Sequence, residues 1–262
     1  MLDAGTQLIG STLGGFTIES LISPRTVTTV CLATHPRFKR KVALKVLSAE
    51  AADDPALRER FIHESQLTEA LDHPNVIPIY DADEDAGVFY IAMHYAEDGD
   101  LRRLLDRKGR LALVRTIAIV EQVAGALDAM HAASFVHWDV KSSNILLGEA
   151  GHVYLSDFGV ARRVKPVDAR RDISALASVA YRCLAGEPQS AIEAIKADNV
   201  RPPLSTARPG LPPALDGVLD TAMAEHRQVH DQTAGSMAHA LRLAGLGIQS
   251  SRITLWAQLS EA

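Results

Sequence analysis

The sequence predicts a two-lobed α+β fold, a small β-rich N-terminal lobe containing one key helix followed by a large helical C-terminal lobe. Three observations predict it. Most of the first hundred residues fall into short apolar runs with strand-like alternation. From Asp100 onward the apolar residues recur at helical spacing instead. One amphipathic helical stretch interrupts the strand-like part, announced by Asp53-Asp54-Pro55, an acidic cap with proline in the first turn.

The elements follow in order. Phe16 to Leu21 and Thr28 to Ala33 read as strands joined by a polar turn, and Lys41 to Leu47 as a third. The helix that starts at Asp53-Asp54-Pro55 runs to about Leu71, with Leu57, Phe61, Glu64, Thr68 and Leu71 on its inward stripe. Val76 to Tyr80 and Val88 to His94 read as two more strands. The change of character between lobes falls near Ala96 to Gly99. Leu113 to Ala133 is a long apolar-periodic helix, and Asn144 to Leu147 and His152 to Ser156 form a hairpin around Gly148 and Gly151. Asp172 to Leu184 is apolar enough to be a buried helix. Ala191 to Lys196, Pro213 to Glu225 and Ser236 to Leu243 are further helices. In the tail, Ile253, Trp256 and Leu259 are spaced three apart and suit a short amphipathic helix.

Bulk properties agree with one globular domain over 1–262, with lobes at 16–96 and 100–245 and a tail at 246–262. The 262 residues are 47% hydrophobic and 23% charged, enough chain to bury a sizeable core. The net charge of −5 argues against a nucleic-acid partner. Cys31 and Cys183 lack metal-ligand spacing and suit free buried thiols in a reducing cytoplasm. The most apolar stretch, Ile117 to Val136, carries Glu121, Gln122, Asp128 and His131 and is too polar to span a bilayer. Met1 to Gln7 shows no secretory pattern. A cytoplasmic protein without a membrane span is expected.

The chemistry begins on the third strand, Val42-Ala43-Leu44-Lys45, where period two puts Ala43 and Lys45 on one face. Glu64 lies on the apolar stripe of the following helix. A carboxylate there is costly to bury unless a cation meets it, and Lys45 is a suitable partner. Otherwise Glu64 merely sits at the stripe's edge. His137-Trp138-Asp139-Val140-Lys141-Ser142-Ser143-Asn144 then follows a helix and precedes a hairpin. Thirteen residues past Asn144 comes Asp157-Phe158-Gly159.

These four motifs, in this order and on these elements, resemble the motif set of the protein kinases. His73-Pro74-Asn75-Val76 and Val123 to His131 resemble the Ser/Thr kinases of actinobacteria. The resemblance spans about Phe16 to Leu243 and implies a bilobal protein-kinase-like fold binding ATP with Mg²⁺ or Mn²⁺. It implies that Lys45, held by Glu64, neutralises the α- and β-phosphates. It implies that Asp157 and Asn144 hold metal, that Asp139 accepts the proton of the attacking hydroxyl, and that Lys141 steadies the transferred group. His137 and Phe158 are implied to be structural. Val30, Ala43 and Leu146 would enclose the adenine, with Met93 behind it. The backbone of His94 and Ala96 would bond the base, and Asp100 could reach the ribose. Plain core packing is the alternative for each apolar member.

Three departures qualify the resemblance. The turn that should be glycine-rich reads Ser23-Pro24-Arg25-Thr26-Val27-Thr28-Thr29. Pro24 has no N–H, and β-branched residues resist the dihedrals glycine permits. Arg25 could supply charge in place of backbone donors, against the alternative of a plain turn and weaker ATP binding. Gly10, Gly14 and Gly15 precede the first strand and are a decoy. Trp138 replaces the arginine that clamps a phosphorylated loop in many relatives. The segment from Asp157 to Asp172 spans only fifteen positions and lacks A-P-E, where the family has a long activation loop. His230 stands near the expected place of the arginine that pairs with the A-P-E glutamate. The remnant is basic and reads either as a solvated loop or as a site for a phosphate or an acidic partner. Asp172 resembles the buried aspartate that braces the catalytic loop.

Two functional classes follow. One is a Ser/Thr protein kinase acting on a protein substrate, with activity weakened by the altered loops. The other is an inactive pseudokinase that docks a regulatory protein partner. A small-molecule phosphotransferase of the same broad fold is a third reading, against which Lys141 and His73-Pro74-Asn75 speak.

Overall fold

The computed structural model describes residues 8–24, 26–164, 168–186, 202–224 and 233–247. The expected helix Ala191 to Lys196, the charge at Arg25, His230 and the tail helix with Ile253, Trp256 and Leu259 lie outside the described residues. The chain divides into two compact units, Met1–Glu97 with Asp157–Val160, and Asp98–Ser156 with Ala161–Ala262.

The first unit is built on a six-stranded antiparallel sheet. Its strands are β1 (Thr12–Leu13), β2 (Phe16–Pro24), β3 (Thr28–Thr34), β4 (Lys41–Leu47), β5 (Ile79–Asp85) and β6 (Val88–His94), in the order β1-β2-β3-β4-β6-β5. Gly14 and Gly15, with φ of 54° and 81°, form the two-residue turn between β1 and β2. These glycines therefore serve a hairpin upstream of the β2–β3 turn.

Register sorts the side chains onto two faces. Cys31, Ala33, Val42, Leu44, Val46, Tyr90 and Ala92 share one face and pack with Leu13, Phe16 and Ile18 into a core. Val30 pairs with Lys45 and Lys45 with Ile91, while Ala43 pairs with Met93, so these residues share the opposite face. Against that face packs α2 (Pro55–Ala70), preceded by the short α1 (Ala49–Ala52); Phe61 joins Leu47, Ala51 and Ile91 in a second cluster. Asp54 caps α2, accepting from the N–H groups of Ala56 (2.8 Å) and Leu57 (3.4 Å), with Pro55 at the first helical position. Leu67, buried at 3% exposure, belongs to the inward stripe beside Phe61, Glu64 and Thr68, and Leu57 is only half-buried.

One strand lies elsewhere than the sequence suggests. The segment expected as Val76 to Tyr80 becomes strand only from Ile79 onward, where it pairs with β6, and continues through an acidic run to Asp85, while Val76 forms an isolated bridge. Pro78 has no N–H to give to a ladder, and its carbonyl accepts from His94. Val76 and Ile77 are buried without being strand. The acidic run survives as strand because β5 is the sheet edge, where its side chains remain solvated.

The second unit is mainly helical, with α3 (Leu101–Lys108), α4 (Leu113–Ala132), α5 (Arg170–Ala185), α6 (Leu204–Ala207), α7 (Ala214–Met223) and α8 (Ala234–Gly245). The central α4 buries Val120, Val123, Leu127 and Met130, and packs against α5 and α8. α8 opens with a Thr233/Ser236 capping box, and Asp128 of α4 accepts from the N–H groups of Ala234 and Gly235. Two small sheets complete the unit: β7 (Phe135–Val136) with β10 (Arg162–Arg163), and β8 (Ile145–Leu147) with β9 (Val153–Leu155). Gln122 ties the β8–β9 hairpin to α4, bonding the Gly151 carbonyl and the Val153 N–H. No helix among the described residues is long and apolar enough to cross a membrane. Both cysteines are free and buried.

Candidate active site

In the first unit Lys45 meets Glu64 and Asp157. Its ammonium donates to both Glu64 oxygens at 2.7 Å and to Asp157 Oδ1 at 3.1 Å. The side chains of Lys45 and Glu64 are 10% and 9% exposed, that of Asp157 28%. Strand alternation turns Lys45 away from the core, and the helical stripe of α2 brings Glu64 to it. Burial alone would depress the Lys45 pKa, but the charges of Glu64 and Asp157 outweigh it and raise the value. Burial and the Asp157 charge raise Glu64, against the pull of Lys45 and an N–H bond from Phe158. One cation thus faces two carboxylates.

Asp157 holds φ at +68°, and Phe158 behind it is fully buried. A Cβ at Gly159 would come 3.0 Å from Glu64 Oε2, so glycine lets this backbone approach the carboxylate. Val30, Ala43 and Met93 lie on the Lys45 face of the sheet. Ala96 is buried just beyond β6. The His94 N–H is taken by the Pro78 carbonyl at 2.9 Å, so a base contact from His94 would have to use its carbonyl. The His94 ring lies 3.0 Å from the Tyr80 hydroxyl through Nδ1.

In the second unit the catalytic-loop residues form their own network. Lys141 Nζ donates to Asp139 Oδ2 at 2.6 Å. Asn144 Nδ2 donates to the Asp139 carbonyl at 2.9 Å and to Oδ2 at 3.0 Å. That orientation commits the amide nitrogen and makes Oδ1 the ligand atom Asn144 would offer a cation. Amide and carboxylate oxygens are the donors Mg²⁺ prefers, so Asn144 in this unit and Asp157 in the other each carry a donor atom of the right kind. His137, fully buried, donates from Nε2 to the Ser156 carbonyl at 3.2 Å and accepts the Asp139 N–H at Nδ1. This is a structural role. Leu146 is half-buried on β8 and bridges to Asp100. Asp100 caps α3 through the Arg103 N–H at 2.8 Å.

Two supports hold the loop. Asp172 of α5, fully buried, accepts the N–H groups of His137 and Trp138 at 2.8 Å each and His131 Nε2 at 2.9 Å. Arg182, further along α5, donates to Ser142 Oγ at 2.6 Å and to Asp106 at 3.1 Å. Sequence reasoning missed this second support, although an arginine amid the apolar run of α5 was a visible signal.

A family model described as "Protein kinase domain" matches residues 20–184. The serine/threonine-protein kinase PknH of Mycobacterium tuberculosis is 33% identical over 271 residues, covering 92% of this chain and 43% of that protein. PknE of the same species is 33% identical over 275 residues, covering 94% of this chain and 49% of PknE. The chain thus spans somewhat under half the length of these curated relatives. The crystal structure of the M. tuberculosis PknI kinase domain superposes with a TM-score of 0.71 at 32% identity, over 90% of this chain and 97% of that one.

Proposed function

The chain belongs to the protein kinase domain family, and from that premise we propose that it transfers the terminal phosphoryl group of ATP to serine or threonine hydroxyls of a protein substrate. The observation that carries this reading is the buried Lys45–Glu64 pair with Asp157 against it. Phosphoryl transfer is mostly positioning and electrostatics, so a lysine fixed in its charged state is the part the reaction most needs from this unit. Lys45 would neutralise the α- and β-phosphates. Asp157 and Asn144 would hold Mg²⁺ or Mn²⁺, which supplies charge neutralisation at the phosphate oxygens. Asp139, anchored by Asn144 and Lys141, would take the hydroxyl proton, and Lys141 would steady the phosphoryl group. Val30, Ala43, Met93 and Leu146 are assigned to the adenine, with the backbone of His94 and Ala96, and Asp100 to the ribose.

Transfer is expected to be weak. The β2–β3 connection lacks the glycines that let bare N–H groups approach phosphates, and Pro24, which pairs with Thr29 just past a register shift at Leu21/Ser23, has no N–H to offer. The fifteen positions from Asp157 to Asp172 favour a second reading, a scaffold that binds nucleotide and a regulatory partner without turnover. Thermal-shift titration with ATP and MgCl₂ tests the shared premise: stabilisation of the wild type that Lys45→Met abolishes is expected, and no wild-type shift would remove the nucleotide reading. Radiolabel transfer to a Ser/Thr peptide, above the level of Asp139→Asn, separates kinase from scaffold.

A further inference from the structure

Three arginines, Arg162, Arg163 and Arg171, lie against the entry to the catalytic loop in the second unit, with Arg170 beside the last of them in sequence. Arg162 and Arg163 form β10, paired with Val136 and Phe135 of β7, the strand that runs directly into His137 and Asp139. Arg163 lies over the Phe135 ring, 5.8 Å from its centroid, and Arg171 over the Trp138 ring at 4.8 Å. Arg170 pairs with Asp168 through two short bonds. All four arginines are exposed. Arg162, Arg163 and Arg171 have no carboxylate partner among the described residues. Stacking on an aromatic ring holds a guanidinium in place while leaving its N–H fork able to bond carboxylate oxygens.

We propose that this strip is a specificity surface that selects protein substrates with acidic residues close to the phosphorylated hydroxyl. The inference rests on the kinase reading for the role of Asp139, but the surface itself can be tested without turnover. Phe135 precedes Asp139 by four positions. A chain of that length extends at most about 14 Å. A peptide with its hydroxyl at Asp139 therefore reaches the strip with side chains within about four positions of the acceptor. Planar, bidentate arginines favour carboxylates over neutral side chains, and contacts this exposed weaken as salt rises.

The test is fluorescence anisotropy of the full chain with labelled serine peptides that differ only in flanking Asp/Glu, Ala or Lys. The acidic peptide is expected to bind at least about ten-fold tighter than the alanine peptide in low salt, a preference that shrinks as NaCl is raised. Arg162→Glu/Arg163→Glu should abolish the preference. Arg37→Glu/Arg60→Glu, the same charge change at exposed positions of the first unit, should preserve it. Arg162→Gln/Arg163→Gln, checked by its melting curve, guards against misfolding of the reversal variant and should also lose the preference. Equal binding of acidic and alanine peptides, or equal loss in the Arg37/Arg60 variant, would overturn the proposal. Acidic preference without phosphoryl transfer would uphold the surface and sink the kinase reading; transfer without acidic preference would do the reverse.

Discussion

Asp172 accepts the backbone N–H of Trp138 at 2.8 Å, across 34 positions of sequence. Trp138 holds φ at +66°, a conformation that costs a non-glycine residue on the order of 1–3 kcal/mol. The Asp172 bonds to His137 and Trp138 offset that cost and fix the backbone from which Asp139 projects. Asp172→Asn should therefore destabilise the protein by about 2–4 kcal/mol, since it replaces a charged acceptor of buried N–H groups. Urea unfolding followed by circular dichroism measures it, and a loss below about 0.5 kcal/mol would deny Asp172 this role.

Lys45→Met leaves Glu64 beside Asp157 with no cation between them. Glu64 already has a raised pKa through burial and the Asp157 charge. Removing Lys45 takes away the larger of the two influences that oppose the rise, leaving only the Phe158 N–H, so the folded variant holds the Glu64 proton more tightly still. A group whose folded pKa lies above its unfolded value contributes stability that is present below the unfolded pKa and lost as pH rises through the folded one. The variant's deficit against wild type should therefore be larger at pH 8 than at pH 5. Urea midpoints at the two pH values check the sign.

At the alkaline end, burial and the nearby Asp81 charge push the Tyr90 phenol up to about 12, and burial takes the Cys183 thiol to about 12. Lys45 is raised as well. All three folded values exceed the unfolded ones, so each contribution is whole below the unfolded pKa and fades as pH rises through the folded one. Stability should fall steadily from about pH 9 upward, and the Tyr90 phenol should ionise late, near pH 12, in absorbance at 295 nm. Tyr90→Phe should lower the amplitude of that late step by one phenol.

Gly14 and Gly10 separate steric from backbone effects. A Cβ at Gly14 would stand 2.2 Å from the Tyr90 hydroxyl, and φ there is +54°. At Gly10 φ is +84° with nothing within 4 Å. Gly10→Ala should cost only the backbone term, about 1 kcal/mol, and Gly14→Ala about 2–4 kcal/mol, because the buried Tyr90 ring must also move. Thermal melts of the two variants should rank them in that order.

The amino-acid sequence by itself determined the two-lobed architecture, the family, and the helix that carries Glu64, because cap chemistry, apolar period and motif order are local signals. What only the tertiary structure decided is which distant groups meet. The start of β5 at Ile79 depends on a ladder with β6 to which Pro78 lends its carbonyl but has no N–H to give. Ser142 with Arg182, 40 positions apart, and Arg171 over Trp138 depend on where α5 packs beside the catalytic loop. Hydrogen bonds and ring contacts between such distant positions leave no periodic trace along the chain, since they arise from packing geometry rather than from the conformational preference of any one segment.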